Sequence, residues 1–285
     1  MTILVAALLL AGGGATALLA QGGGDALVRL SVVSMRAKPS HSAEQVSQAL
    51  MGTPVRVLER SGQWARVEGP DGYQGWIIDH SLSFPSADDM SRWQQGERVM
   101  VTAPFELHDA DLTTDLVSGD IILRSPTSPD SLLLPDGRRI LAPAGATTPL
   151  SELTAREFRP ELLPRWAAQY RGVPYLWGGL SSKGMDCSGL VRMAFAAQGR
   201  ILPRDAWQQA LCGREVPADS LLPGDLIFFG NATTGRITHV AIYSGSGRYV
   251  HSSQLVRENS LDPSSPDFLP LTVLHRRRIL CPRTL

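Results

Sequence analysis

Hydrophobic and polar residues change their period along the chain. Between residues 28 and 84 the period is two: Val28, Leu30 and Val32 alternate with Arg29 and Ser31. Short apolar runs follow at 55–58, 64–67 and 75–78, with Gly62, Gly69, Gly72 and Gly75 at the turns. Alternation over a few residues between glycine turns marks half-buried strands, and several of them in so short a span predict a small barrel or sandwich. The stretch 40–51 breaks the pattern and reads as a single helical turn or a long loop. A second small β unit is predicted over 95–149, from Arg98–Val101, Asp120–Leu123 and Leu132–Leu134, the last running into the turn Pro135-Asp136-Gly137-Arg138. The link 85–94 is short and polar. The Asp-Gly pair at 71–72 recurs at 136–137, a faint mark of a degenerate repeat.

From 155 to 285 the pattern is of another kind. Over 160–171 the period is helical, with Leu162, Leu163, Trp166 and Tyr170 near one face. Asp186-Cys187-Ser188 reads as a helix start, followed by an apolar face of Leu190, Val191, Met193, Ala194 and Phe195 that ends at Gly199. Strands are predicted at 225–229, 238–243 and 249–252. A helical block followed by an antiparallel sheet is an α+β domain. At the other end, residues 3–20 are apolar and uncharged. That run reads as an export signal, 1–20, with cleavage after Ala20, although no basic residue precedes it and Leu18 stands where a small residue is favoured. It predicts a periplasmic or secreted protein; a buried N-terminus or a start codon placed too early are the alternatives.

Composition adds exclusions. A chain of 285 residues, 43% apolar and 19% charged, is a folded protein with room for two or three domains. Lys+Arg and Asp+Glu balance at 27 each, so charge gives no reason to expect a nucleic-acid partner. The basic run His275-Arg276-Arg277-Arg278 reads as the solvated end of a strand. Three cysteines cannot make a disulfide framework, though one pair, such as Cys212 with Cys281, is open.

The candidate chemistry lies in the third block. Cys187 sits in the first turn of its helix, where free N–H groups and the helix dipole favour a thiolate, and Gly189 would keep the approach to it open. Asp186 and Ser188 are poor company for a core thiol, yet a buried structural cysteine is the competing reading. Centring the hairpin of 237–251 on Gly245 pairs His239 with His251, and Val240 with Val250 on the opposite face. Two facing imidazoles suit a general base and the group that orients it. The same three residues could hold zinc with a water, or the histidines could be structural.

Pro174-Tyr175-Leu176-Trp177-Gly178-Gly179, Met185-Asp186-Cys187-Ser188-Gly189-Leu190-Val191, Leu202-Pro203-Arg204, Leu222-Pro223-Gly224-Asp225 and Thr238-His239-Val240-Ala241 follow one another in order. Together they resemble the NlpC/P60 cysteine peptidases, which have a papain-like fold and cut bacterial cell-wall peptides. The resemblance implies Cys187 as nucleophile, His239 as base and His251 as third member, with no cofactor and no metal. The blocks 28–84 and 95–149 resemble bacterial SH3-type domains, the first through Asp71-Gly72-Tyr73-Gln74-Gly75-Trp76. Two such domains ahead of the catalytic domain at 155–285 resemble the γ-D-glutamyl-L-diamino-acid endopeptidases. This implies muropeptides or peptidoglycan stem peptides as partners, with Glu44, Tyr73 and Asp186 holding the free amino group. Relatives often carry a serine where this chain has Ala206, so a hydroxyl donor to the substrate is either missing or replaced by Asp205 or Ser188.

Overall fold

The computed structural model describes residues 26–109, 112–126, 128 and 131–285, and the predicted export signal lies outside them. Among the described residues no helix is long and apolar enough to cross a membrane.

The first unit has seven strands: β1 (Ala26–Val28), β2 (Val32–Arg36), β3 (Gln45–Leu50), β4 (Pro54–Ser61), β5 (Trp64–Glu68), β6 (Gln74–Ile78) and β7 (Leu82–Ser83). They form one antiparallel sheet in the order β3-β2-β6-β5-β4-β1-β7. Every strand contributes to one core, from Ala26 and Val28 through Met35, Ala49, Val55, Val67 and Ile77 to Leu82. The single strand expected across Val28, Leu30 and Val32 is two strands. β1 pairs with β4 and β7, whereas β2 pairs with β3 and β6, and the chain turns between these partners at Leu30, which is exposed.

The expected loop at 40–51 holds strand β3, paired with β2 from Val32↔Leu50 to Arg36↔Gln45. Its polar residues hid it from the apolar pattern. Ser47 and Gln48 are buried, but they bond to the catalytic unit rather than facing water: Arg204 Nε donates to Ser47 Oγ at 2.9 Å, and Leu180 N donates to Gln48 Oε1 at 2.8 Å. A buried polar side chain is tolerated when it is paired in this way.

The polar link contains helix α1 (Ala87–Gln95), capped by Ser86 Oγ, which accepts from Asp89 N at 3.1 Å. Trp93 of α1 is buried with Leu27 and Leu123, between the two β units. The second unit has β8 (Arg98–Val101), β9 (Phe105–Asp109), β10 (Leu112–Leu116), β11 (Ile121–Arg124), β12 (Ser131–Leu133), β13 (Arg139–Leu141) and β14 (Thr147–Pro149). Five of these form a sheet in the order β13-β12-β11-β8-β14, and β9-β10 is a separate hairpin. The first unit is thus a seven-stranded sheet and the second a five-stranded sheet beside a hairpin.

The third unit is α+β, as expected. Its elements are α2 (Leu150–Ala155), α3 (Leu163–Ala168), β15 (Leu180–Ser181), β16 (Gly184–Met185), α4 (Cys187–Ala196), β17 (Arg200–Ile201), α5 (Ala206–Gln209), β18 (Arg214–Glu215), β19 (Leu226–Gly230), β20 (Ile237–Gly245), β21 (Arg248–Ser253), β22 (Leu255–Ser260), β23 (Val273–Arg278) and β24 (Arg283–Thr284). Six strands make an antiparallel sheet in the order β18-β23-β19-β20-β21-β22. All of α4 but Arg192 is buried, because the helix sits between the sheet and the rest of the molecule; a helix apolar on all sides belongs inside. Leu163, Trp166 and Tyr170 pack on this core as their spacing predicts, while Leu162 stays at its margin. The basic run 275–278 belongs to β23, an inner strand, and Arg278 is paired to Asp225 through Nε at 2.8 Å and Nη2 at 2.7 Å. All three cysteines are free, so Cys212 and Cys281 are not bridged.

Candidate active site

Asp186 ends the preceding strand segment in an extended conformation and caps α4, accepting from Gly189 N at 2.7 Å. An aspartate at this position satisfies an N–H that the helix itself leaves free. Cys187 is thereby held in the first turn, 6% exposed, with the N–H groups of Ser188 and Val240 directed at its sulfur. Gly189 has a different role from the one expected. A Cβ there would lie 2.2 Å from the carbonyl oxygen of Gly179, so glycine lets the Gly178-Gly179 segment close against the helix; it does not clear a path to the thiol.

Val240 belongs to β20, and the preceding residue is His239, so the strand that touches the sulfur also carries the imidazole. The hairpin register differs from the expected one by two residues: Val250 faces Ile242, and Tyr249 faces Tyr243. The left-handed turn falls on Ser246 and Gly247, at φ 50° and 72°, and Gly245 sits in a bulge just before it. A shift of two keeps each side chain on its face. His239 and His251 are therefore diagonal neighbours rather than direct partners, and still meet, with His239 Nε2 2.7 Å from His251 Nδ1. The rings cross at 81°; His251 is fully buried against Tyr249, and the half-buried His239 packs on Phe229. Nδ1 of His239 is the ring nitrogen left over for a proton from the thiol.

The other expected residues separate into two groups. Asp186 accepts from Gly178 N, Gly189 N, Ser188 Oγ and, through both oxygens, from Arg204 at 3.1 and 2.6 Å. Asp186 thus serves as helix cap and as the anchor of Arg204. Ser188 is buried in the same network, its Oγ accepting from Arg204 Nη1 at 3.0 Å. Glu44 and Tyr73 do lie at the boundary of the two units. Trp177 Nε1 donates to Glu44 Oε1 at 2.8 Å, and Gln45 Nε2 donates back to Trp177 O at 2.8 Å. The Tyr73 hydroxyl, which serves one acceptor at a time, lies 3.2 Å from Val46 O and 3.4 Å from Asp205 Oδ1. Asp205 is thus the carboxylate beside Tyr73. The sequence reading named it only as a stand-in for a missing hydroxyl, because neighbourhood to the nucleophile in sequence favoured Asp186. A cavity of about 420 Å³ between the two β units, α4 and the C-terminal strand includes Tyr73 and Arg192 but neither Cys187 nor His239.

A family model described as the NlpC/P60 family matches residues 172–268, and one described as a bacterial dipeptidyl-peptidase Sh3 domain matches 35–82. The dipeptidyl-peptidase 6 of Lysinibacillus sphaericus is 30% identical over 262 residues, covering 85% of this chain and 93% of that protein. The chain belongs to the NlpC/P60 family. The gamma-D-glutamyl-L-lysine dipeptidyl-peptidase of Bacillus subtilis (strain 168) is 29% identical over 220 residues, 72% of this chain and 71% of that protein. The crystal structure of an NlpC/P60 family protein from Bacillus cereus ATCC 10987 has the same fold, with a TM-score of 0.77 at 22% identity over 90% of this chain and 99% of that one.

In this NlpC/P60 site burial outweighs the helix dipole. It pushes the Cys187 thiol up to about 12, with the Asp186 carboxylate adding to the effect against the two N–H groups and Arg204. Burial also brings His239 down to about 3, helped by His251, and His251 down to about 4. Both shifts favour the neutral forms, a thiol beside an imidazole, against the pull of the helix start toward thiolate. Burial raises the Tyr175 hydroxyl, so it stays neutral, and a Cys187 thiolate would raise it further. Alkylation of Cys187 by iodoacetamide should therefore rise with pH up to pH 9 without the plateau from mildly acid pH that a thiolate–imidazolium pair produces. The sign for stability follows from the histidines. Their folded values lie below the ordinary 6.5, so the unfolded chain binds more protons, and stability is lost as pH falls from about 6.5 toward 4 and 3.

Proposed function

We propose that this protein hydrolyses the γ-D-glutamyl–diamino-acid bond of cell-wall peptides whose N-terminal L-alanine is free, releasing L-Ala-γ-D-Glu. The observation that carries the reading is the docking of the first β unit against the catalytic unit, which brings the Tyr73 hydroxyl to 3.4 Å from Asp205 and anchors Glu44 on Trp177. Two carboxylates and a phenol at one boundary suit an ammonium group. Similarity to the gamma-D-glutamyl-L-lysine dipeptidyl-peptidases of Bacillus subtilis and Bacillus cereus supports the same bond, and the apolar run at 3–20 supports a place outside the cytoplasm.

The chemistry needs only Cys187, His239 and backbone N–H groups. The Cys187 sulfur attacks the γ-carbonyl carbon while its proton passes to His239 Nδ1. The oxyanion is held by N–H groups at the start of α4. As the C–N bond breaks, His239 gives that proton to the leaving amine. Water then attacks the thioester, its proton goes to His239 and on to the departing sulfur, and the glutamyl carboxylate leaves. Asp205 and Glu44 act before this, by requiring a positive amino end.

The test is kcat/KM on L-Ala-γ-D-Glu-meso-diaminopimelate, free and N-acetylated. Acetylation removes the charge and should lower kcat/KM by roughly 100-fold, the size of one or two charge-assisted hydrogen bonds. Glu44→Gln, Tyr73→Ala and Asp205→Asn should each shrink that ratio while Cys187 still reacts with a small alkylating probe. Equal values for the two peptides would mean that the first unit packs or binds wall and does not read the amino end.

A further inference from the structure

Asn259, on β22, is buried with 6% exposure and is not part of the Cys187, His239 and His251 set. Its side chain has two contacts. Nδ2 donates to the carbonyl oxygen of Asp267 at 2.6 Å, and Oδ1 lies 2.9 Å from His251 Nε2. A backbone carbonyl only accepts, so the first contact decides which end of the amide is nitrogen. The Asp267 carbonyl is itself held in place, since Ser260 N also donates to it at 3.2 Å and Ser260 bridges Phe268 in parallel.

We infer that Asn259 is a positioning residue that sets the proton arrangement of both histidines, and so decides which nitrogen of His239 is the base. The Asn259 oxygen accepts and cannot donate, so His251 Nε2 carries the proton. A neutral imidazole holds one N–H, which leaves His251 Nδ1 bare. Across 2.7 Å that bare nitrogen accepts from His239 Nε2, and His239 Nδ1 keeps its lone pair for the thiol. In the opposite arrangement His251 Nδ1–H would donate to His239 Nε2, His239 would carry its proton on Nδ1, and it could not take one from Cys187. The order runs Asp267 carbonyl, Asn259 amide, His251, His239. His251 is held in its orientation by complete burial and by the Tyr249 ring at 5.0 Å. The charged neighbour on the facing strand is Arg257, the register partner of His251, which disfavours a second proton on that ring. This inference concerns the Cys–His pair and holds whichever peptide bond the enzyme cuts.

The experiment uses the full chain with ¹⁵N-labelled histidine. In the wild-type protein at pH 7, His251 and His239 should both show Nε2–H with bare Nδ1, a reading that needs no substrate. A proton on Nδ1 of His251 would overturn the inference outright. Asn259→Leu removes the acceptor; kcat should fall roughly 10- to 100-fold, as when an outer hydrogen-bond partner of a functional imidazole is lost. KM should stay the same, and His239 should show a mixture of tautomers. Asn259→Asp keeps an acceptor toward His251 and should return kcat to within about tenfold of wild type, with His239 again Nε2–H and its titration moved upward by the added carboxylate. Folded Asn259→Leu protein with wild-type kcat and a single His239 tautomer would assign Asn259 a packing role only. If Asn259→Leu does not fold, the wild-type spectrum and the Asn259→Asp titration decide alone, and an unmoved His239 titration in the latter counts against the inference.

Discussion

Cys187→Ala is expected to abolish peptide hydrolysis, with kcat lower by at least about 10⁴-fold, and to leave the fold intact. Loss of a nucleophile in a coupled nucleophile–base pair costs about as much as loss of the whole set, because the base then has nothing to activate. The fold survives because the helix start is held by Asp186, Gly189 and Arg204, and none of their bonds uses the sulfur. Removing one buried sulfur leaves a gap worth on the order of 1 kcal/mol. Cys212→Ala is the control. Its half-buried thiol donates weakly to Gln208 O at 3.6 Å and contacts nothing in the site, so kcat should stay within about twofold. The measurements are product release from the tripeptide, the thermal midpoint, and mass addition by iodoacetamide. A Cys187→Ala protein that still hydrolyses would remove the nucleophile from this account.

His239→Ala should lower kcat by roughly 10³- to 10⁴-fold or more, because the thiol is neutral at rest and needs a base at the moment of attack. With burial pushing the thiol to about 12, very little thiolate is available without the imidazole. His251→Ala should cost less, roughly 10- to 100-fold, since it removes the partner that orients His239 and not the base itself. The two variants also differ in stability. His251 is fully buried, and its loss leaves Asn259 Oδ1 without its donor, so the thermal midpoint should drop; His239 is only partly buried, and its loss should move it less. Equal losses of kcat in folded proteins would mean that the imidazoles act as one unit and that the division into base and orienter is wrong.

The features legible from the residues are those decided within a few positions of chain. The cap Asp186, the apolar run of α4 and the glycine stop at 199 predict a helix with Cys187 at its start, and α4 is there. Alternating strands in the first block, the Pro135-Asp136-Gly137 turn and the hairpin of 237–251 depend on local periods and turn chemistry in the same way. The pairing of His239 with His251 also came through despite a wrong register, because a slip of two residues preserves the face of a strand. The turn could not be placed from composition, since Gly245, Ser246 and Gly247 all suit a tight bend; the bulge at Gly245 depends on the neighbouring strands.

Tertiary structure alone decided matters that rest on partners far away in the chain. Strand β3 is polar because the catalytic unit more than a hundred residues later satisfies Ser47 and Gln48. Asp186 was the nearest carboxylate to the nucleophile, but Arg204 and the Gly178 N–H take its oxygens, whereas Asp205 meets Tyr73 from the first unit. The thiol feels both levels: the helix start is a local feature that favours thiolate, while the burial that opposes it comes from the whole fold. By itself the sequence placed Cys187 at a helix start and His239 with His251 on one face of a hairpin, through capping, periodicity and short spacing. The folded chain decided which polar groups are left free, because hydrogen-bond capacity is limited and is taken up by whichever partners packing brings near.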